Sequence, residues 1–302
     1  MKNISILFPK SEFTSDQLQK LGFAGQVSFI ESGSEGSLKD LIKLSKDADI
    51  LAFSPDKIGK RASEWLLKIL EASTKVKGLA LNTTHANYVD MGYCNERGIR
   101  VFTILDDSAE AVAEHVVLLI LGCAKRLFIN DRRTYRRKYQ PELGFEIRGK
   151  SLGVIGSNLE AQRVVSLAKA IGMTVYATER LEGATRKPSL LQSDIITIHL
   201  PDTEENKKYL SKEKIARLKE GAIVINLSGR DLVDEKAMAE ALNKRLVDQY
   251  AFEAESTKKS SLRESEFALM FKPFCKYTKE SLRRNRSLWV INISNLAGKP
   301  TS

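Results

Sequence analysis

Histidine and cysteine are scarce in this chain, with three of each in 302 residues. Cys94, Cys123 and Cys275 lie far apart, without the short spacings of a metal or redox motif. His85, His115 and His199 are too few and too scattered to suggest a zinc site. A disulfide-stapled secreted domain is excluded on the same count, and a reducing, cytoplasmic setting is expected. Long apolar runs are also missing. The longest patch, residues 116–124, is well short of the ~20 residues that span a bilayer, so no membrane is expected. The first ten residues, MKNISILFPK, do not have the layout of a signal peptide.

What the chain does have is an excess of cations: 48 Lys and Arg against 38 Asp and Glu, a formal charge of +10. The excess gathers in residues 132–138 (RRTYRRK) and 258–286, the latter interleaved with Glu264, Glu266 and Glu280. A balance of this kind permits polyanion binding. The simpler reading is a solvated Lys- and Arg-rich surface, so nucleic acid is not an expected partner.

Strand-like runs at 4–8, 27–30, 50–53, 76–81 and 100–104 alternate with helical runs at 16–21, 38–46, 62–72 and 88–97. This rhythm predicts a parallel sheet with helices on its faces. Asp107 and Glu110 read as the start of a long helix reaching about Lys138. Further strands are expected at 195–200, 222–227 and near 246–252, with a helix at 235–243. Residues 258–286 have poor periodicity and read as a loop with a short helix near 277–284. A last strand is expected at 289–293.

Residues 151–180, SLGVIGSNLEAQRVVSLAKAIGMTVYATER, read as strand, tight turn, helix and strand closed by an acid. That is the layout of a dinucleotide-binding βαβ unit. Its G-x-G-x-x-G turn is eroded to Gly156-Ser157-Asn158-Leu159-Glu160-Ala161. Gly156 can still make the turn, and Ala161 is small enough for helix–strand packing. Asn158 tolerates a left-handed backbone but adds bulk where a pyrophosphate approaches. Glu160 suits the helix dipole and repels a phosphate. Glu179 is placed to accept hydrogen bonds from an adenosine ribose, which favours NAD over NADP; the adjacent Arg180 weakens that preference.

From about Val76 to Gly298 the chain resembles the D-isomer-specific 2-hydroxyacid dehydrogenases. The segments NYVDMGYCNERGIRVFTI, SAEAVAEHVVLLILGCAKR, FEIRGKSLGVIG, SDIITIHLPDTEENKKYLSKEKIARLKEGAIVINLS and DLVDEKAMAEAL carry the resemblance. It implies an α/β fold of two Rossmann-like or flavodoxin-like domains with parallel sheets and an active-site cleft between them. Residues 1–98 would form the substrate-binding domain. Residues 99–298 would form the dinucleotide domain, with an insertion at about 256–286. Residues 299–302 would be a truncated tail, lacking the helix with which relatives return to the substrate domain. A homodimer through helix 108–138 is also implied.

The family reduces 2-keto acids with an Arg that binds the substrate, a His that protonates the carbonyl oxygen and a Glu that holds the His. The resemblance places the Arg at Gly229, with Arg230 beside it, and the His at Asn295, which cannot deliver a proton at neutral pH. The Glu falls at Glu253 if Asp248 is the strand-end Asp, or at Glu255 if FEAE is the anchor. The substrate loop falls at Thr83-Thr84-His85, with His85 an alternative proton donor. Gly156, Ser157, Asn158, Leu159, Glu179, Pro201 and Asp248 are the expected cofactor contacts. The leading expectation is an NAD(H)-binding protein with weak or lost hydride transfer on 2-hydroxy or 2-keto acids. Two others stand beside it: an active reductase with a rearranged site built on Arg230 and His85, and a non-enzymatic regulator or polyanion-binding scaffold.

Overall fold

The computed structural model describes every residue except 32, 34–36, 56–57, 85, 106, 180, 187–189, 257–259 and 300–302. The chain divides into two compact units. One is Met1–Asp107 with the segment from Lys279 on; the other is Ser108–Thr278.

The first unit runs β1 (Asn3–Pro9), α1 (Ser15–Ala24), β2 (Gln26–Ile30), α2 (Leu38–Ser45), β3 (Ile50–Phe53), α3 (Ala62–Ala72), β4 (Gly78–Leu81), α4 (Met91–Glu96) and β5 (Arg100–Thr103). The five strands are parallel in the order β2-β1-β3-β4-β5, the flavodoxin-like arrangement. Alternation along the strands fills both faces. Leu7, Leu51, Phe53, Leu79 and Leu81 pack with Leu41, Trp65, Leu66 and Ile69. Ile4, Ile6, Phe8, Ala52 and Ala80 pack with Trp289 and Ile293 from the far end of the chain.

The second unit begins with α5 (Ala109–Ala124) and α6 (Leu127–Tyr135) and continues β6 (Ser151–Ile155), α7 (Leu159–Ala170), β7 (Thr174–Ala177), β8 (Thr185–Arg186), β9 (Ile195–Ile198), α8 (Lys212–Ile215), β10 (Ala222–Asn226), α9 (Glu235–Asn243), β11 (Val247–Glu253) and β12 (Ala268–Phe271). Its strands are parallel in the order β12-β11-β10-β9-β6-β7-β8, a doubly wound sheet whose direction reverses beside β6. Leu152, Val154, Ile195, Ile223 and Ile225 face α5 and α7 in one core, and Ile196, Ile198, Val224, Tyr250 and Phe252 face α8 and α9 in another. Burial on both faces explains why these strands read as near-continuous apolar runs.

Four expectations are corrected. The long helix breaks at Arg126, whose φ of 57° is left-handed, so α5 and α6 are separate. Residues 289–293 are not a strand; they lie in α10 (Lys279–Leu296). The segment 258–286 contains β12, which pairs with β11. The unit boundary also moves, because β5 pairs with β4 and α10 belongs to the first unit. A C-terminal helix packed on the first unit is therefore present. Among the described residues, no helix is long and apolar enough to cross a membrane.

Candidate functional site

In a doubly wound sheet, ligands bind outside the C-terminal ends of the strands, beside the point where strand order reverses. In the second unit that edge carries Gly156 after β6, Glu179 after β7, His199 to Pro201 after β9, Ser228 to Arg230 after β10, Glu253 and Glu255 at the end of β11, and Lys272 onward after β12.

Gly156 makes the tight turn with φ +112°, and a Cβ there would sit 2.4 Å from the His199 carbonyl oxygen. No other residue type fits both constraints. Ser157 is exposed in the turn. Asn158 does not adopt the left-handed backbone; at φ −71° it is the N-cap of α7, and its Oδ1 accepts from the Ala161 N–H at 2.9 Å. Leu159, the first residue of the helix, is 75% exposed at this mouth.

Glu160 departs from the expected repulsion of phosphate. Its carboxylate oxygens lie 3.3 Å from Lys276 Nζ and 3.9 Å from His199 Nδ1. Burial pushes its carboxyl up, but His199 and Lys276 outweigh that and hold it below the usual range. The acid at the helix N-terminus is thus paired with an ammonium from the loop after β12. His199 is itself buried, with Nε2 3.0 Å from Thr197 Oγ1.

Glu179 is exposed after β7, near Tyr209, whose phenol is raised by burial and by that carboxylate. Pro201 is exposed after β9, and its carbonyl accepts from Asn206 Nδ2 at 3.0 Å.

The turn after β10 is organised by Asn226. Its Nδ2 donates to the Gly229 carbonyl at 2.7 Å and to the Tyr250 hydroxyl at 3.1 Å, and its Oδ1 accepts from the Ser228 N–H at 3.2 Å. A Cβ on Gly229 would lie 2.4 Å from Asp202 Oδ2 and 2.5 Å from its Cγ. The room beside Gly229 therefore holds a carboxylate. Arg230 is locked sideways: Nε and Nη2 donate to the two oxygens of Glu235 at 2.6 and 2.7 Å, and Nη1 donates to the Ser256 carbonyl at 2.7 Å.

Glu253 Oε1 accepts from the backbone N–H groups of Phe274 and Cys275 at 2.9 and 2.8 Å, so it pins the loop after β12. Glu255 is 85% exposed, and Lys272 is 3.8 Å away. Among the described residues, neither acid hydrogen-bonds an imidazole. His115, on α5, stacks edge-to-face on Phe274 with centroids 4.9 Å apart. Burial pushes its pKa down while Glu253 pulls the other way, and its Nε2 has no hydrogen-bond partner among the described residues.

Two expected site residues are not on this edge of the second unit's sheet. Asp248 is at the start of β11, the opposite end of the sheet from Gly156. There it is buried, 2.5 Å from Arg126 Nη1 and 3.0 Å from Arg245 Nη2. Asn295 is on α10 in the first unit, because the strand assumed before it is a helix. Thr83 and Thr84 follow β4 at the C-terminal edge of the first unit's own sheet, where the Thr83 carbonyl accepts from the Ile104 N–H at 3.1 Å. His85 and Arg180 lie outside the described residues. Lys276, Asp202 and Glu235 were not singled out from sequence. Only the acidic start of a helix after the turn hinted at Glu235.

The residues fit a dinucleotide. The Gly156 cradle would be filled by any Cβ, the N-terminus of α7 opens beside it, Glu179 stands exposed one strand over, and the one acid at the helix mouth is paired with Lys276. A proton donor is harder to find. Among the described residues of this edge the imidazole is His199, buried against Thr197.

Known proteins agree with this architecture. Residues 117–271 match the NAD binding domain of the D-isomer specific 2-hydroxyacid dehydrogenases. A 2-hydroxyacid dehydrogenase homolog of Haemophilus influenzae is 30% identical over 68% of this chain and 65% of its own length. The hydroxypyruvate reductase of Thermotoga maritima is 29% identical over 70% of this chain and 71% of its own. The NAD-dependent formate dehydrogenase of Staphylococcus aureus, solved with NAD, superposes with a TM-score of 0.75 at 20% identity, covering 94% of this chain and 91% of that one. The chain belongs to the D-isomer specific 2-hydroxyacid dehydrogenase family, and residues 117–271 are its NAD-binding domain.

Proposed function

We propose that this family member holds NAD(H) but transfers hydride to 2-keto acids weakly or not at all. The observation that carries this reading is Asp202. Where the family resemblance calls for an Arg to grip a substrate carboxylate, Gly229 offers no side chain and the Asp202 carboxylate fills the space within 2.4 Å of a would-be Cβ. A like charge at that point opposes a keto acid.

In this reading the Gly156 backbone and the α7 N-terminus bind the pyrophosphate, and the Glu179 carboxylate accepts from the ribose hydroxyls. Bound there, NAD would supply or accept the hydride. The reduced carbonyl oxygen would need a proton and positive charge close by. Arg230 is committed to Glu235 and Ser256, so recruiting it means breaking a two-pronged ion pair. His115 is buried and its basicity is lowered, which leaves it neutral at pH 7 and unfit as an acid. This disfavours the rearranged active site.

Small 2-keto and 2-hydroxy acids remain the ligands to try, hydroxypyruvate first, given the Thermotoga relative. We place the protein in the cytoplasm as a homodimer. The exposed Leu118, Leu121 and Leu127 along α5 and α6 support a covered face there. The test is NADH titration by fluorescence, followed by hydroxypyruvate and glyoxylate. Saturable binding with turnover below roughly 0.1 per second fits, that is, an ordinary kcat reduced by ~10²–10⁴ for a missing proton donor.

A further inference from the structure

The second unit carries a pocket of about 330 Å³ that the dinucleotide site does not use. We propose that it binds a small phosphorylated molecule with an apolar body. Arg132 in the last turn of α6 and Arg136 at its C-cap line it together with Arg263 from the loop before β12; Met270 and the almost fully buried Phe252 and Leu262 form its apolar floor.

The arginines are the informative part. Arg132 and Arg136 are four residues apart, so they share one side of the helix end. Arg133 between them is spent: its Nε and Nη2 donate to both Glu266 oxygens at 2.9 Å, and Nη2 also reaches Glu142 at 2.8 Å. By contrast, the guanidinium groups of Arg132, Arg136 and Arg263 make no hydrogen bond or close ion pair among the described residues, although Arg132 and Arg136 add to the positive field on Glu266. A helix C-terminus favours nearby cations and accounts for the first two. It does not account for Arg263, which arrives from a separate loop, or for the concavity they share. Because Glu266 is already engaged by Arg133, Glu264 is the remaining acid in the lining, and the three arginines leave the mouth positive.

Guanidinium forks match phosphate oxygens in pairs, which an ammonium does not. The volume lies at the small end of the ~300–1,000 Å³ range of ligand sites, which suits a metabolite and not a polymer. The location is also distinct. β12 is four strands from β6 in the sheet, about 19 Å at ~4.8 Å per strand.

The experiment is isothermal titration of the full chain with phenyl phosphate, with and without excess NADH. Saturable binding with Kd below about 1 mM, unaffected by NADH and roughly tenfold tighter than inorganic phosphate, is the expected result. Arg132→Gln with Arg136→Gln, and separately Arg263→Gln, should weaken it roughly tenfold or more, while Arg137→Gln leaves it unchanged. Thermal melts of each variant verify that it is folded. Any of four results overturns the proposal: no saturation up to about 10 mM, equal affinity for inorganic phosphate, equal loss in Arg137→Gln, or displacement by NADH. Tight salt-dependent binding of a single-stranded oligonucleotide that needs Arg137 as much as Arg263 also overturns it, in favour of a diffuse polyanion surface. Because the titration is also run without NADH, its outcome is independent of whether the dinucleotide site works.

Discussion

Single residues decide what this site can do. Gly156 combines a φ of +112° with a Cβ position 2.4 Å from a carbonyl oxygen. Gly156→Ala is expected to cost about 1–3 kcal/mol in urea unfolding and to abolish NADH binding; an unchanged variant would show that the turn is not the cradle described. Asp248 makes the opposite case. It was expected to touch the cofactor, yet it sits at the far end of its strand between Arg126 and Arg245, with its side chain 8% exposed. Asp248→Ala leaves the buried Arg126 guanidinium with only Glu142, 3.7 Å away, and is expected to cost about 3 kcal/mol with NADH affinity unaltered. A lost affinity in a stable variant would restore its expected role. The expected strand near 246–252 already put Asp248 at its start; its cofactor role came from the family resemblance, and its burial between two guanidinium groups was not legible in the sequence.

At the scale of elements, α10 was the hardest to foresee. Its WVINI run is β-branched and apolar, the local signature of a strand. Tertiary packing overrides it. Trp289, Ile293 and Leu296 fall at helical spacing and are all buried, and the Trp289 indole donates to the Ala80 carbonyl at 3.0 Å while stacking on Phe13. Trp289→Ala is expected to destabilise the first unit by about 3–5 kcal/mol, read as a shift in its melting transition; a shift equivalent to under about 1 kcal/mol would argue against this packing. A second element contact couples stability to pH. Asp194, just before β9, accepts from Ser151 N–H and Oγ at 2.8 and 2.7 Å and meets Lys219 Nζ at 2.6 Å. Burial pushes its carboxyl up, but Lys219 and Ser151 outweigh that and bring it to about 2, against an ordinary 3.8. A folded-state value below the unfolded one means stability that is present above about pH 4 and lost as pH falls toward 2. Asp194→Asn should therefore cost roughly 2 kcal/mol at pH 7 and almost nothing near pH 2; a constant difference across that range would contradict the linkage. The central strands were legible, because both faces are buried and each reads as a compact apolar run; the short edge strands β8 and β12 were not. The break at Arg126 was not, since no Gly or Pro announces it.

For the whole molecule, the two-sheet architecture, the tight turn at Gly156 and an exposed acid at Glu179 after the next strand follow from spacing alone. The electrostatics do not. Glu160 reads as a phosphate repeller until Lys276, from the loop after β12, is seen 3.3 Å away; Gly229 reads as a bare vacancy until Asp202 is found beside it. Such pairings are made by the return of distant strands to one sheet edge, and no local pattern encodes them. On the reading proposed above, they leave a protein that holds NAD(H) and reduces keto acids poorly. The most direct measurement is a single experiment with two readings: titrate the full chain with NADH, then add hydroxypyruvate and follow loss of the reduced nicotinamide. Saturable NADH binding with turnover below roughly 0.1 per second is the expected outcome. Turnover above roughly 1 per second, or no NADH binding at all, would contradict it.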